Sequence, residues 1–228
     1  KSYDVQPNVT QQKIPMFICP SEPKATPRPD GALTHFPLNY GANMGSWMVF
    51  DPSTTQGVGG DGAFIVGRNV RINELMDGTS QTIAFSEVKA YTPYLRDGGN
   101  PSAAATAMPS TPSQVVNYGG TFKTDSGHTE WVDARVHQTG FTTSFSPNTK
   151  FAYTNGGTAY DIDFNSMREG ITSTSITFAT VTSRSYHSGI VNAVFMDGSV
   201  KSIPNSIDPI VWRALGTRAG GESTQGVP

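Results

Sequence analysis

The chain contains a single cysteine. Among its 228 residues only Cys19 carries a thiol, which excludes an internal disulfide and a cysteine-based zinc site. Cys19 ends the apolar run of residues 16–19, so we expect a buried and chemically inert side chain there.

Charge and long apolar runs are scarce as well. Charged residues make up 15% of the chain, and 16 basic against 18 acidic residues leave a net charge of −2. Duplex-binding proteins need a concentrated basic face, and no run of Lys or Arg here exceeds two, so we exclude nucleic acid as a partner. No apolar run approaches the roughly 20 residues of a membrane-spanning helix. Residues 1–20 do not resemble a signal peptide.

Glycine and proline are abundant instead. The chain has 24 Gly and 16 Pro with 36% hydrophobic residues, which favours short strands joined by tight turns over a helical bundle. Aromatic residues at 10% supply core material that disordered chains lack. Many Ser, Thr and Asn with few Lys and Glu indicate an extracytoplasmic protein. We predict a mainly antiparallel, β-rich α+β fold.

Two local signals are strong near the C-terminus. Asp197-Gly198 separates the β-prone residues 191–196 and 199–203, which predicts a hairpin with a two-residue loop. Asp208 as N-cap, Pro209 in the first turn and Gly216 at the end predict a short helix. Its apolar side is expected to comprise Ile210, Val211, Ala214 and Leu215.

Other elements are predicted more coarsely. Residues 62–66 and 82–88 favour a strand pair, with a short turn of helix beginning near Ile72 or Asn73. Further strands are expected at residues 141–145 and 171–181, and residues 98–114 are typical of an exposed loop.

One stretch offers ligands for a hard cation. Asp161, Asp163 and Asn165 alternate along an extended segment, so their oxygen-bearing side chains are expected on one side. That set suits Ca²⁺. An EF-hand would need Gly and Glu where Ser166 and Thr172 stand, so the prediction is a calcium site of another kind, with a solvated strand face as the alternative.

The four histidines offer weaker sites. His128 and His137, with Glu130 and Asp133 between them, could supply two His and a carboxylate to zinc, although a spacing of nine fits no single helix face. No Gly-x-Ser-x-Gly elbow accompanies His187, so a serine hydrolase is not indicated. We expect a structural role for His187, with one ring nitrogen bonded to backbone near the Asp197 turn.

A set of segments resembles a known family. His187, nine residues and then Asp197-Gly198 resemble the signature of the prepilin-type processing-associated H-x9-DG proteins, a bacterial family of unknown function expanded in planctomycetes and sometimes labelled solute-binding. Further landmarks occur in the same order, at residues 17–21, 39–41, 77–82, 182–187 and 212–218. His187, Asp197 and Gly198 correspond to signature positions, and the resemblance supplies no catalytic residues.

The resemblance implies an architecture. Family members usually begin with a basic leader, a peptidase cleavage site and a long apolar helix, and this chain begins just before the Phe17 landmark, so we expect it to be the exposed headpiece. The implied fold is a pilin-like sheet elaborated with additional strands and long loops, with a short C-terminal helix. We expect one globular headpiece over residues 1–228, a possible β-rich insertion at about 90–160 and a polar tail at 217–228.

Three functions remain open on the sequence. The first is a non-enzymatic, extracytoplasmic headpiece of a pilin- or pseudopilin-like subunit at the cell surface or in an extracellular filament. Its partners would be copies of itself or related subunits, and it would meet the membrane only through the N-terminal helix. The second is a module that binds a glycan or a small solute, and the third is a hydrolase. We expect no cofactor other than the possible calcium.

Overall fold

The computed structural model describes residues 7–53, 58–98 and 107–222. Helices in this part are short: α1 (Pro7–Thr10), α2 (Pro112–Asn117), α3 (Val136–Thr139) and α4 (Pro209–Gly216), with 3-10 turns at Pro15–Phe17 and Ile72–Glu74. The strands are β1 (Arg28–Asp30), β2 (Leu33–His35), β3 (Tyr40–Asn43), β4 (Met48–Asp51), β5 (Val58–Gly59), β6 (Ile83–Glu87), β7 (Thr92–Arg96), β8 (Thr121–Gly127), β9 (Gly140–Phe141), β10 (Ala152–Asn155), β11 (Thr158–Asp161), β12 (Asp163–Asn165), β13 (Thr177–Thr180), β14 (Ile190–Phe195) and β15 (Val200–Pro204).

Two sheets dominate the fold. One has the order β5-β4-β13-β12-β7-β8 and the other the order β15-β14-β6-β3-β9, and β1-β2 and β10-β11 form separate hairpins. The pairs β7-β12 and β3-β9 are parallel, and the other strand pairs of the described chain are antiparallel. The expected β-rich, mainly antiparallel class is confirmed.

Each sheet has its own hydrophobic core. The five-stranded sheet packs one face against Trp212 and Leu215 of α4. The core of the six-stranded sheet contains Trp47, whose ring lies 5.4 Å from that of Phe178 and 6.4 Å from that of Phe164. A third, smaller cluster lies between the two sheets. It contains Met44, which follows β3 of the five-stranded sheet, and buried residues of β4 and β13 in the six-stranded sheet. The members of this cluster are Met44, Val49, Val136, Ala179 and Val181.

The C-terminal hairpin is confirmed, but its loop is one residue longer than expected. The N–H of Gly198 donates to the carbonyl of Phe195, and the N–H of Phe195 donates to the carbonyl of Ser199. Gly198 has φ +86, so a tight turn is followed by a left-handed residue, the arrangement of a three-residue hairpin loop. The prediction of a two-residue loop was therefore wrong.

The predicted C-terminal helix is also confirmed, and of its expected apolar side Val211, Ala214 and Leu215 pack inwards but Ile210 does not. Asp208 accepts hydrogen bonds from the N–H groups of Ile210 and Val211, as an N-cap does, and α4 ends at Gly216. Ile210 is 68% exposed, whereas Trp212 is fully buried. The helix thus faces the sheet through Trp212, Ala214 and Leu215, and the expectation that Ile210 faces it was wrong.

The coarser predictions had mixed outcomes. Residues 82–88 contain β6, but residues 62–66 form no strand beyond an isolated bridge between Ile65 and Arg68, so that strand pair was wrong. The helical turn at Ile72–Glu74 is confirmed. The strands expected at residues 141–145 and 171–181 are shorter in the structure, where they are β9 (Gly140–Phe141) and β13 (Thr177–Thr180). Part of the loop expected at 98–114 lies outside the described residues, and its end forms the start of α2, where Thr111 caps the helix.

The residues around 90–160 pair with the rest of the chain. They contribute β7 and β8 to the six-stranded sheet and β9 to the five-stranded sheet. Within the region expected to be a tail, Arg218 donates to the carbonyls of Gly60 and Gly62, and the N–H of Gly220 donates to Asp77. Residues 223–228 lie outside the described part. No helix in the described chain has the length and apolar character needed to cross a membrane.

Candidate functional site

The signature residues lie at opposite ends of one strand. His187 precedes β14, and Asp197 and Gly198 follow it. Six strand residues at about 3.3 Å each separate them by roughly 20 Å. The expectation that the His187 ring bonds backbone near the Asp197 turn was therefore wrong. Asp197 instead accepts from the hydroxyl and N–H of Ser199, and these hydrogen bonds hold the pKa of its carboxyl below the ordinary value.

The His187 ring lies beside Cys19 and Glu87. Its Nε2 atom is 3.1 Å from Oε1 of Glu87 and 3.8 Å from Sγ of Cys19. The thiol donates to the same Oε1 over 3.6 Å. Glu87 is buried, while the His187 side chain is 32% exposed, so the cluster lies at the surface with its carboxylate inside. The expectation of a buried thiol in apolar surroundings was wrong.

Backbone groups hold the Glu87 side chain in place. The N–H of Asn192 donates to Oε2 of Glu87 over 2.7 Å, which leaves Oε1 for the cluster. The Glu87 carbonyl accepts from the N–H of Arg184 and from the hydroxyl of Ser183. The carboxylate is therefore positioned by β14 on one side and by the segment before His187 on the other.

Cys19 is positioned by its own neighbours. Its N–H donates to Oδ1 of Asn39, whose amide in turn donates to Glu22 and to the carbonyl of Val88. Tyr40, opposite Glu87 in the sheet, lies close to the thiol. Partial burial, and then the nearby Cys19 and Glu87, raise the pKa of the Tyr40 phenol.

The geometry of this cluster differs from that of a proton relay. A histidine that relays protons between a nucleophile and a carboxylate uses one ring nitrogen for each partner. Here Nε2 alone faces both Sγ and Oε1. A sulfur, a nitrogen and an oxygen atom thus converge on one point, which is the arrangement of metal ligands.

The predicted calcium ligands have other partners. Asp161 and Asp163 both bind the buried guanidinium of Arg184, and Asp163 also accepts from the N–H of Thr182. Asn165 donates to His137 and Glu169 instead of joining the two aspartates. Arg184 therefore supplies positive charge where the prediction placed Ca²⁺. Burial opposes the charge of Arg184, but Asp163 and Asp161 outweigh it and raise the pKa of the guanidinium.

The predicted zinc ligands do not converge either. The Nδ1 atom of His128 lies 2.9 Å from the carbonyl of Gln138, and its Nε2 has no hydrogen bond among the described residues. The His137 ring stacks on Tyr94 at 4.7 Å. Glu130 pairs with Arg28, and Asp133 pairs with Arg135.

His137 and Glu169 belong to one buried polar cluster. Burial, and then the positive charges of Arg96 and Arg135, hold the pKa of His137 well below its ordinary value. Burial likewise raises the pKa of Glu169 from 4.5 to about 7. Both Glu169 oxygens accept hydrogen bonds, from Asn165 and from the N–H of Val136. Burial disfavours the charged form of both groups, and both are hydrogen-bonded to their surroundings, which favours a structural role for this cluster.

Glu169 should make the stability of the protein fall with rising pH. Its folded-state pKa is raised, so its contribution is complete below about pH 4.5 and is lost as the pH rises through about 7. Glu169→Gln keeps the neutral form throughout. We expect the free energy of unfolding of Glu169→Gln to exceed that of the parent by about 3 kcal/mol more at pH 8 than at pH 4.5.

Urea denaturation at the two pH values measures this difference. The lowered pKa of His137 makes stability rise with pH, but both proteins contain His137, so its contribution cancels in the comparison. Asp125→Asn, at an exposed position, is the matched control and should show no such pH-dependent gain. A gain for Glu169→Gln that does not change with pH would contradict the raised pKa of Glu169.

An apolar groove adjoins the Cys19 cluster. It encloses about 390 Å³ and is lined by aromatic side chains that include Tyr40, which also contacts the thiol. The aromatic lining residues are Phe17, Tyr40, Phe64, Phe85 and Trp131. The Phe64 and Phe85 rings lie 5.1 Å apart.

Sequence reasoning found one member of the cluster and missed two. The signature identifies His187, whereas the sequence predicts a buried, inert Cys19 and places Glu87 only in a strand. One signal was available: Cys19 and His187 both lie in segments that carry the family resemblance. No such signal exists for Glu87, because Cys19 and His187 are 68 and 100 residues away from it along the chain.

Comparison with known proteins gives a family. The model of the family described as "Protein of unknown function (DUF1559)" matches residues 2–210. This is the family that the signature resemblance predicted. No curated protein and no solved structure matches the chain.

Proposed function

The chain belongs to the DUF1559 family, and we propose that it is a non-enzymatic, extracytoplasmic headpiece of a pilin- or pseudopilin-like surface subunit. The observation that supports the proposal most is an exposed apolar surface on the five-stranded sheet. The other support is the family's usual architecture, in which a long apolar helix precedes the head.

This surface lies opposite α4. On β14, Val191 and Ala193 face the helix and the intervening Asn192 and Val194 face away, because side chains alternate along a strand. Val194 pairs with Val200 on one side and with Phe85 on the other, and Phe85 pairs with Ala42. We call the row Val200, Val194, Phe85 and Ala42 the outer face.

Two apolar side chains of the outer face are exposed to solvent. Val200 is 65% exposed and Phe85 is 38% exposed. Phe85 and Ala42 also line the aromatic groove, so row and groove form one continuous apolar surface. Contiguous apolar surface of this kind marks an interaction site, and packing a helix on a sheet face is a standard way to bury it. An apolar helix that anchors the subunit would fit this surface.

The proposal predicts that a charge on the outer face impairs assembly without unfolding the head. In the complete subunit, with its N-terminal region, we expect Phe85→Lys to reduce recovery in membrane and filament fractions several-fold. The isolated heads should keep the circular dichroism spectrum of the parent. Ile210→Lys is the matched control, because Ile210 is an exposed apolar residue on α4, away from this face.

Fractionation and electron microscopy of cells that express the three subunits measure this effect. The proposal is overturned if the complete parent subunit is neither held in the membrane nor assembled into any fibre. It is also overturned if Phe85→Lys and Ile210→Lys assemble as the parent does.

The groove supports a second candidate, a module that binds a glycan or a small solute. Its volume falls within the range of small-molecule sites, and aromatic rings of the kind that line it stack on sugars. The family's short name, SBP_bac_10, carries the same solute-binding label. A thermal shift of the isolated head with a glycan, lost in Trp131→Ala, would favour this candidate over the first.

A further inference from the structure

We infer that Cys19, Glu87 and His187 form a zinc site. The inference does not rest on the proposed headpiece function, because it depends only on the donor atoms of these three side chains and on what holds them. Sequence reasoning excluded a cysteine-based zinc site on the cysteine count alone. A mixed set of ligands needs only one thiolate.

The distances between the donor atoms match those of a zinc coordination shell. Tetrahedral zinc with ordinary bond lengths separates its ligand atoms by about 3.6 Å for S···N, 3.6 Å for S···O and 3.4 Å for N···O. The corresponding separations here are 3.8, 3.6 and 3.1 Å. The point in the plane of the three atoms that is equidistant from them lies about 2.0 Å from each, and a tetrahedral ion just above that plane reaches all three at about 2.2 Å, within the range of zinc–ligand bond lengths.

The chemistry of the donors favours zinc over calcium or magnesium. Thiolate and imidazole are ligands for borderline-soft metals, whereas the hard cations take oxygen alone. A thiolate, a carboxylate and a neutral imidazole together carry two negative charges, which balance Zn²⁺. Three protein ligands leave a fourth position for water, on the side where His187 reaches the surface.

The ligands are supported as metal ligands usually are. The N–H of Asn192 holds the free oxygen of Glu87, so that Oε1 remains directed at the cluster. Asn39 holds the backbone of Cys19, and Tyr40 lies close to its sulfur. These contacts position the Glu87 and Cys19 donors before any metal binds.

A second carboxylate–histidine cluster differs from this one in how its negative charge is balanced. Asp30, His35 and Glu130 also lie within reach of one another. There Arg28 already binds both Asp30 and Glu130, so a permanent cation balances the acids. Glu87 has no arginine or lysine partner among the described residues, and its contacts at Oε1 are the two potential ligands.

Zinc binding would join three distant parts of the chain. Cys19 follows the 3-10 turn at Pro15–Phe17, Glu87 ends β6, and His187 precedes β14. The ion would bond Sγ, Oε1 and Nε2, and the thiol would lose its proton to solvent. Since Phe17 and Tyr40 line the aromatic groove, the metal would also fix one wall of that groove.

Titration with the metal alone tests the site. With the thiol kept reduced, we expect the purified chain to bind one Zn²⁺ with a Kd at or below about 1 μM. Co²⁺ should give the thiolate-to-metal charge-transfer band, which only Cys19 can supply. We expect Cys19→Ser to abolish that band, and Cys19→Ser, Glu87→Gln and His187→Gln each to weaken zinc binding by at least about 100-fold, beyond the usual effect of losing an outer-shell partner.

Asp30→Asn is the matched control, because it alters the second cluster at an exposed position and should leave zinc binding unchanged. The inference is overturned if the parent binds no zinc at this strength, or if Cys19→Ser binds as tightly as the parent. Should a variant fail to fold, X-ray absorption at the zinc edge of the loaded parent decides. One sulfur in the first shell supports the site, and a shell of nitrogen and oxygen alone refutes it. Loss of filament assembly would not affect any of these results.

Discussion

Replacing Arg184 with Met should lower the free energy of unfolding by about 3–5 kcal/mol, one of the two largest effects expected from a single substitution in this chain. Arg184 is 4% exposed and donates to Asp161, to Asp163 and to the carbonyl of Ile162. Its loss would leave the Asp163 carboxylate buried without a cation, and an uncompensated buried charge is costly. Urea denaturation at pH 7 measures the change.

Two further variants separate the buried charge from simple loss of packing. Arg184→Met combined with Asp163→Asn removes the stranded charge, so the double variant should recover part of the loss. Arg68→Met breaks the pair with Glu74, in which both side chains are partly exposed, and should cost no more than about 1 kcal/mol. Equal effects of Arg184→Met and Arg68→Met would show that Asp163 is not held by Arg184 in solution.

The fold was predictable where local chemistry determines it. The Asp197-Gly198 hairpin and the helix capped by Asp208 depend on residues within a few positions of each other, and both were found. Residues 62–66 are as apolar as a strand, yet they lie against the end of β3, where the N–H of Phe64 donates to the carbonyl of Asn43. Propensity alone cannot distinguish these cases, because tertiary contacts decide the outcome.

The sites were less predictable because their members meet only in the folded chain. The calcium prediction assumed one continuous strand through Asp161 and Asp163. The strand is interrupted at Ile162, between β11 and β12. The guanidinium of Arg184, 23 residues from Asp161 along the chain, binds both carboxylates. The Cys19 cluster combines residues that no spacing rule connects. A signature thus located His187 but gave no information about what its ring contacts.

The buried side of α4 shows how a terminal helix can be misread. Periodicity placed Ile210 towards the sheet, but the Asp208 cap sets the first turn so that Pro209 and Ile210 face outwards. Trp212 then enters the core, where its ring lies 6.2 Å from that of Phe141.

Trp212→Ala should accordingly destabilise the protein by about 3–5 kcal/mol, since it removes a fully buried indole from the core of the five-stranded sheet. The indole N–H has no hydrogen bond among the described residues, so the loss is one of packing alone. Trp212→Phe should consequently cost much less. Ile210→Ala, two residues earlier on the exposed side of α4, is the matched control and should change stability by less than about 0.5 kcal/mol. Denaturant midpoints at constant m value measure the series. If Ile210→Ala cost as much as Trp212→Ala, then α4 would dock through its other side.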